Sequence, residues 1–191
     1  MSIRNAAMEL TRERILEIAG AQFLERPYED VTLRGVARDA GVALQTVVNH
    51  FGAKEDLFMA CVERLGNEIE ARRAAQPGDV AGAVRALVDD YEITGDGTIR
   101  ALPLEERIPA LAAGLRQGRE HHEAWVQATF PGALRGLRGA ARQRRIAQLV
   151  VATDVYTWKL LRRDRGFTEE QTATTMQELV ERLHDEPQES R

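Results

Sequence analysis

One stretch, residues 31–51, constrains this chain more than any other: Val31-Thr-Leu-Arg-Gly-Val-Ala-Arg-Asp-Ala-Gly-Val-Ala-Leu-Gln-Thr-Val-Val-Asn-His-Phe51 has the spacing of two short helices joined by a tight turn at Gly41. In a helix-turn-helix the first helix braces the second, and the second lies in the major groove with its N-terminal side chains against base edges. Val36, Ala37 and Ala40 supply a small apolar inner face for the first helix. Gly41 supplies the reversal, because a residue ending a helix in the left-handed region is strained unless it lacks a Cβ. Val42 and Val47 look inward from the second helix, and Leu44, Gln45, Thr46, Val48 and Asn49 stay on or near its outer face. A Gly between helical runs also occurs in ordinary helical hairpins inside enzyme cores, so the segment alone leaves both readings open.

The flanks extend the pattern. Thr11 to Glu25 places Ile15, Leu16, Ala19 and Phe23 on one face of a single helix, with Arg and Glu on the other. Lys54 opens a long helix with Leu57, Phe58, Cys61, Val62, Leu65 and Ile69 as its stripe. Three helices around the turn make a closed core, and a fourth leads away.

The segments Thr11-Arg-Glu-Arg-Ile-Leu-Glu-Ile-Ala, Tyr28-Glu-Asp-Val-Thr, Gly41-Val-Ala-Leu-Gln-Thr and His50-Phe-Gly-Ala-Lys-Glu-Asp-Leu-Phe58 resemble the tetracycline-repressor (TetR) family over about the first third of the chain. The resemblance implies a dimeric, all-helical transcriptional regulator, in most such proteins a repressor released by a small-molecule inducer. The expected fold is all-α. Residues 1–54 form a three-helix DNA-binding domain, with the motif at about 32–51, and a linker helix leads into residues 55–191, a helical ligand-binding and dimerisation domain. The implied partners are double-stranded DNA with a two-fold symmetric operator, a second copy of the chain, and an inducer of unknown identity. No cofactor, metal or enzymatic activity is expected.

Length and composition fit this picture. A chain of 191 residues buries on the order of 70% of its unfolded surface, enough for a core without staples. Cys61 is the only cysteine, which excludes an internal disulfide and suits a reducing cytoplasm. On an apolar helical face it reads as a core residue. Met1 to Leu10 lacks a signal-peptide apolar run, and no segment reaches the roughly 18 residues of a membrane span, so a cytoplasmic, membrane-free protein is expected. The net charge of −4 argues against a polyanion partner only at first sight. Residues 1–54 hold seven basic and seven acidic side chains and sum to zero, while 32–54 hold three basic against one acidic. A DNA surface needs local positive groups rather than a basic whole.

The candidate DNA contacts follow. Thr32 can cap the first motif helix and offer its hydroxyl to a phosphate, and Arg34 is long enough for a guanine edge or the backbone. Leu44, Gln45 and Thr46 open the recognition helix, where Gln suits adenine. Val48 and Asn49 lie one turn on, Asn49 reading a base or holding a phosphate. His50 and Lys54 match positions that the resemblance assigns to backbone contacts, and Lys54 sits in a first helical turn, where free N–H groups favour an anion. Two positions depart from the family pattern: Ala43 stands where Ser or Thr caps the recognition helix, and Val48 where an aromatic touches the phosphate. Val48 cannot donate to a phosphate but can meet a thymine methyl.

Beyond the linker helix, Pro77 and Gly78 break the chain and Asp79 can cap the next helix. Gly95-Asp-Gly97 is expected to end that helix. Pro109 sits at a first helical turn, the pattern holds from Ala110 to Phe130, and Pro131-Gly132 closes it. Two long helices follow, roughly Gly139 to Arg165 and Thr168 to His184, the second opened by the capping box Thr168-Glu-Glu-Gln171. Tyr91, His121, His122, Trp125 and Phe130 are the candidate inducer contacts, being aromatics with a few polar tips, which is equally what a helical core needs. Leu149, Val150, Trp158, Leu161, Met176, Leu179, Val180 and Leu183 are the candidate dimer interface. Arg135, Arg138, Arg142 and Arg145 make a basic stripe that reads as solvent-facing.

Two other classes compete. Glu181-x-x-His184 is half of a di-iron carboxylate motif, but a helical metalloenzyme needs a second half, and His121 and His122 point about 100° apart on a helix. A dimeric DNA binder without any ligand is the other.

Overall fold

The computed structural model describes residues 3–185, and among these the regular structure is helical throughout. The chain divides into two compact units, one built from the residues through Glu68 with Arg100–Leu115, the other from Ile69–Ile99 with the residues from Arg116 on.

The first unit contains α1 (Ile3–Glu25), a 3-10 turn (Tyr28–Asp30), α2 (Leu33–Asp39), α3 (Leu44–Phe51) and the start of α4 (Lys54–Arg72). Its core is small and closed: Ile15, Leu16, Ala19, Val31, Val36, Ala37, Ala40, Val47, Phe51, Leu57 and Cys61 are all buried. Each buried Val, Leu, Ile or Phe among them contributes about 1.5–3 kcal/mol relative to exposure. Phe23, Tyr28 and Phe58 close one side, with ring centroids 5.0 to 5.7 Å apart. Burial pushes the Cys61 thiol up to about 12, so it packs as a small apolar group.

The second unit holds most of α5 (Val80–Ala101) and α6 (Pro109–Thr129), with α7 (Gly139–Thr153), α8 (Val155–Lys159), a π turn (Leu160–Asp164) and α9 (Glu169–Asp185). Asp79 caps α5, its Oδ1 accepting from the Gly82 N–H at 2.9 Å. The capping box opens α9 as read: Gln171 N–H donates to the Thr168 hydroxyl oxygen at 3.1 Å, and Thr168 N–H donates to Gln171 Oε1 at 2.9 Å.

Two expectations fail here. Gly95 and Gly97 do not end a helix; α5 runs through both. Gly95 is small for packing, since a Cβ there would lie 2.4 Å from the Trp158 ring. The helix expected from Gly139 to Arg165 is broken at Asp154, whose extended ψ of 152° ends α7 and whose carboxylate caps α8 by accepting from Tyr156 N–H at 2.8 Å. Among the described residues no helix is long and apolar enough to cross a membrane.

Candidate nucleic-acid interface

The turn between α2 and α3 is built as its residues dictate. Gly41 takes a φ of +64°, and its N–H donates to the Arg38 carbonyl at 3.1 Å. Thr32 caps α2, its hydroxyl accepting from Gly35 N–H at 3.0 Å. Ala43 occupies the cap position of α3 and has no side chain to fill it. Val47 and Phe51 anchor α3 in the core.

That anchoring leaves a defined outer face. Leu44, Gln45, Val48 and Asn49 are exposed, Leu44 by 39% and Val48 by 37%. Gln45 Nε2 donates to Asn49 Oδ1 at 2.8 Å, which holds both amides in one orientation. Thr46 and His50 are half-buried, His50 with its ring against Phe51. Arg34 is exposed on α2.

Lys54 is half-buried at the start of α4. Its Nζ lies 4.2 Å from the centre of the Tyr28 ring and donates to the Glu29 carbonyl at 3.4 Å. Partial burial holds its pKa below the ordinary lysine value. The start of α4 is also occupied, because Asp56 Oδ2 accepts from Ala53 N–H at 3.2 Å.

Sequence reasoning missed Arg14. From α1 it donates through Nε to the Ala40 carbonyl at 2.7 Å, satisfying the end of α2 next to the turn. An Arg on the charged face of an amphipathic helix carries no local signal of such a role.

In the second unit, four of the five candidate inducer contacts gather around one ion pair. Asp90, fully buried, accepts from Arg73 Nη2 at 2.6 Å and Nε at 2.9 Å, and from Arg72 Nε at 2.7 Å. Removing one partner of such a buried pair typically costs about 3–5 kcal/mol. His122 Nε2 lies 3.0 Å from the Thr153 hydroxyl and its Nδ1 3.4 Å from Arg73 Nη1. Burial first, then the Arg73 charge, presses the His122 pKa down to about 3. Trp125 stacks on His122 and donates from Nε1 to the Arg73 carbonyl at 3.1 Å. Phe130 meets the Trp125 ring edge to face, and Tyr91 donates to the Thr153 carbonyl at 3.0 Å. His121 is exposed. From sequence alone, Arg72-Arg73 at a helix end reads as solvated charge, and nothing local signals the buried pair.

The candidate dimer residues divide. Leu149, Trp158, Leu161, Met176 and Val180 are buried in their own unit and cannot serve a second copy. The stripes chosen from spacing were those the unit consumes for its own core. Val150 and Leu183 are half-buried and Leu179 is 42% exposed. Val151, 66% exposed, joins Leu179, Ala147 and Leu183 along an open groove of about 490 Å³ between α7 and α9. Of the basic stripe, Arg142 donates to Gln127 and Arg145 to Gln148 and the Leu183 carbonyl, so it serves the unit's own surface. Among the described residues no group of three or more His, Cys, Asp or Glu could hold a metal ion.

Residues 15–61 match the family described as bacterial regulatory proteins, tetR family. Over 62 residues the chain is 42% identical to the HTH-type transcriptional regulatory protein RaaS of Mycobacterium tuberculosis, covering 32% of this chain and 29% of that one. The chain spans between 29% and 58% of the length of the first curated relatives it matches. A tetR-family transcriptional regulator from Streptomyces coelicolor superposes with a TM-score of 0.69 over 100% of this chain and 93% of its own, at 17% identity. The SmeT protein, solved as a triclosan complex, superposes with a TM-score of 0.65 over 90% of each chain, at 18% identity. These structures share the fold.

Proposed function

With an N-terminal domain that belongs to the TetR family of bacterial regulatory proteins as the premise, we propose that this chain is a sequence-specific DNA-binding transcriptional regulator. It acts as a dimeric repressor on a two-fold symmetric operator and is released by a small molecule. The observation that carries the DNA reading is the outer face of α3, where Leu44, Gln45, Val48 and Asn49 stand exposed on a helix anchored by Val47 and Phe51. Thr32, the N-cap of α2, and Arg34 within that helix are exposed as well. The exposed apolar groove at Val151 and Leu179 supports dimerisation, since contiguous apolar surface on a monomer marks an interaction site. Two copies related by a two-fold axis would read half-sites about 34–36 Å apart.

Selection of bound duplexes from a random pool tests this directly. A palindromic consensus with half-sites one helical turn apart is the expected result. No enrichment at low salt would overturn the reading.

Release by an inducer draws support from the triclosan complex of a protein of the same fold. A ligand-independent regulator is favoured by a different observation: Tyr91, His122 and Trp125 already spend their polar tips on Thr153 and Arg73. An inducer at this cluster must exchange those bonds for its own, with preference for a state whose recognition helices no longer match the operator.

A further inference from the structure

The outer face of α3 carries two neighbouring ridges of different chemistry. Leu44 and Val48, one turn apart, are apolar and more than a third exposed. Gln45 and Asn49, each one residue on, are polar and joined by the 2.8 Å bond from Gln45 Nε2 to Asn49 Oδ1. That bond consumes one of the two Gln45 N–H donors and leaves it a second N–H beside its Oε1 acceptor.

One donor beside one acceptor complements adenine, which presents the N7 acceptor and the N6 amino donor in the major groove. Guanine presents two acceptors there, and its commonest specific partner is a bidentate Arg or Lys. Leu44-Gln-Thr-Val-Val-Asn-His-Phe51 contains neither. An apolar ridge gains most against the thymine C5-methyl, the apolar group that base edges offer in this groove. Cytosine gives Gln45 an amino donor but lacks that methyl. Side chains at i and i+4 stand about 5–6 Å apart, against about 3.4 Å between base pairs on one strand, so the ridge reaches neighbouring pairs.

Resting on the regulator reading above, we propose that α3 reads an A·T core in each half-site, with thymine methyls against Leu44 and Val48 and adenine on the Gln45–Asn49 couple. Val48, which stands where the family resemblance places a phosphate-touching aromatic, is a specificity-determining residue.

The test uses the full chain and the duplex selected above. Thymines in the half-site core are replaced by deoxyuridine, which removes the methyl alone, and affinity is read by fluorescence anisotropy. Each methyl at the ridge is worth about fourfold in affinity, the burial gain of one such group. In V48A and L44A, both at exposed positions, affinity for the thymine duplex falls toward that for its uracil counterpart, so the thymine-over-uracil preference shrinks. A palindromic consensus with a G·C core, or an A·T core indifferent to uracil, overturns this inference and leaves the regulator reading standing. Failure to enrich any duplex removes both.

Discussion

Arg14 on α1 donates to the carbonyl oxygen of Ala40, the residue at which α2 ends, through Nε at 2.7 Å, with Nη2 directed at the same oxygen. The guanidinium thereby closes the turn from outside, and a Cβ on the neighbouring Gly41 would lie 2.7 Å from its Nη2. The relative placement of α2 and α3 therefore depends on α1 as well as on the glycine.

Replacing Arg14 by Ala leaves that carbonyl without its charged donor. Unfolding in urea is expected to lose about 1–3 kcal/mol, and operator affinity to fall with it. An unchanged midpoint and affinity would show that water substitutes for the guanidinium.

Ala43→Ser supplies the side-chain oxygen that the start of α3 lacks. A filled N-cap contributes about 0.5–2 kcal/mol, so the unfolding midpoint should rise. A midpoint equal to or below that of the parent would count against a vacant cap.

Val48→Tyr places a hydroxyl that can donate a hydrogen bond to a phosphate oxygen at an exposed position of α3. Mobility-shift titrations should show tighter binding to all duplexes alike, together with a weaker preference for thymine over uracil, because the apolar contact is exchanged for backbone affinity. Unchanged or weaker binding would refute this.

His122 makes stability depend on pH in a stated direction. Its folded-state pKa of about 3 lies below the ordinary value of 6.5, chiefly through burial. As pH falls below about 6.5 the unfolded chain takes up a proton that the folded chain refuses, so stability is intact above that pH and declines down to about 3. Denaturation midpoints for H122Q should fall less over this range than those of the parent. Parallel curves would remove His122 as the source.

Much of the first unit was legible because its signals are local. Gly41, the small residues Val36, Ala37 and Ala40, and the inward Val47 each state their role through spacing, and the fold places them accordingly. The vacant cap at Ala43 was equally plain. What misled was chemistry that depends on distant neighbours. Gly95 reads as a helix breaker until Trp158 is seen to occupy the space of its missing Cβ. The contacts of Lys54 with the Tyr28 ring and the Glu29 carbonyl likewise leave no trace in local spacing.

The amino-acid pattern by itself determined the all-helical class, the helix-turn-helix and its register, because helical periodicity, capping residues and a left-handed glycine act within a few residues of themselves. Tertiary structure decided which apolar stripes the second unit keeps for its own core and which, at Val151 and Leu179, it leaves outside. It also decided that Asp90 sits buried between Arg72 and Arg73. Periodicity identifies an apolar face but not the surface that covers it, and a charge is stable inside only where folding brings its counter-charge from elsewhere in the chain.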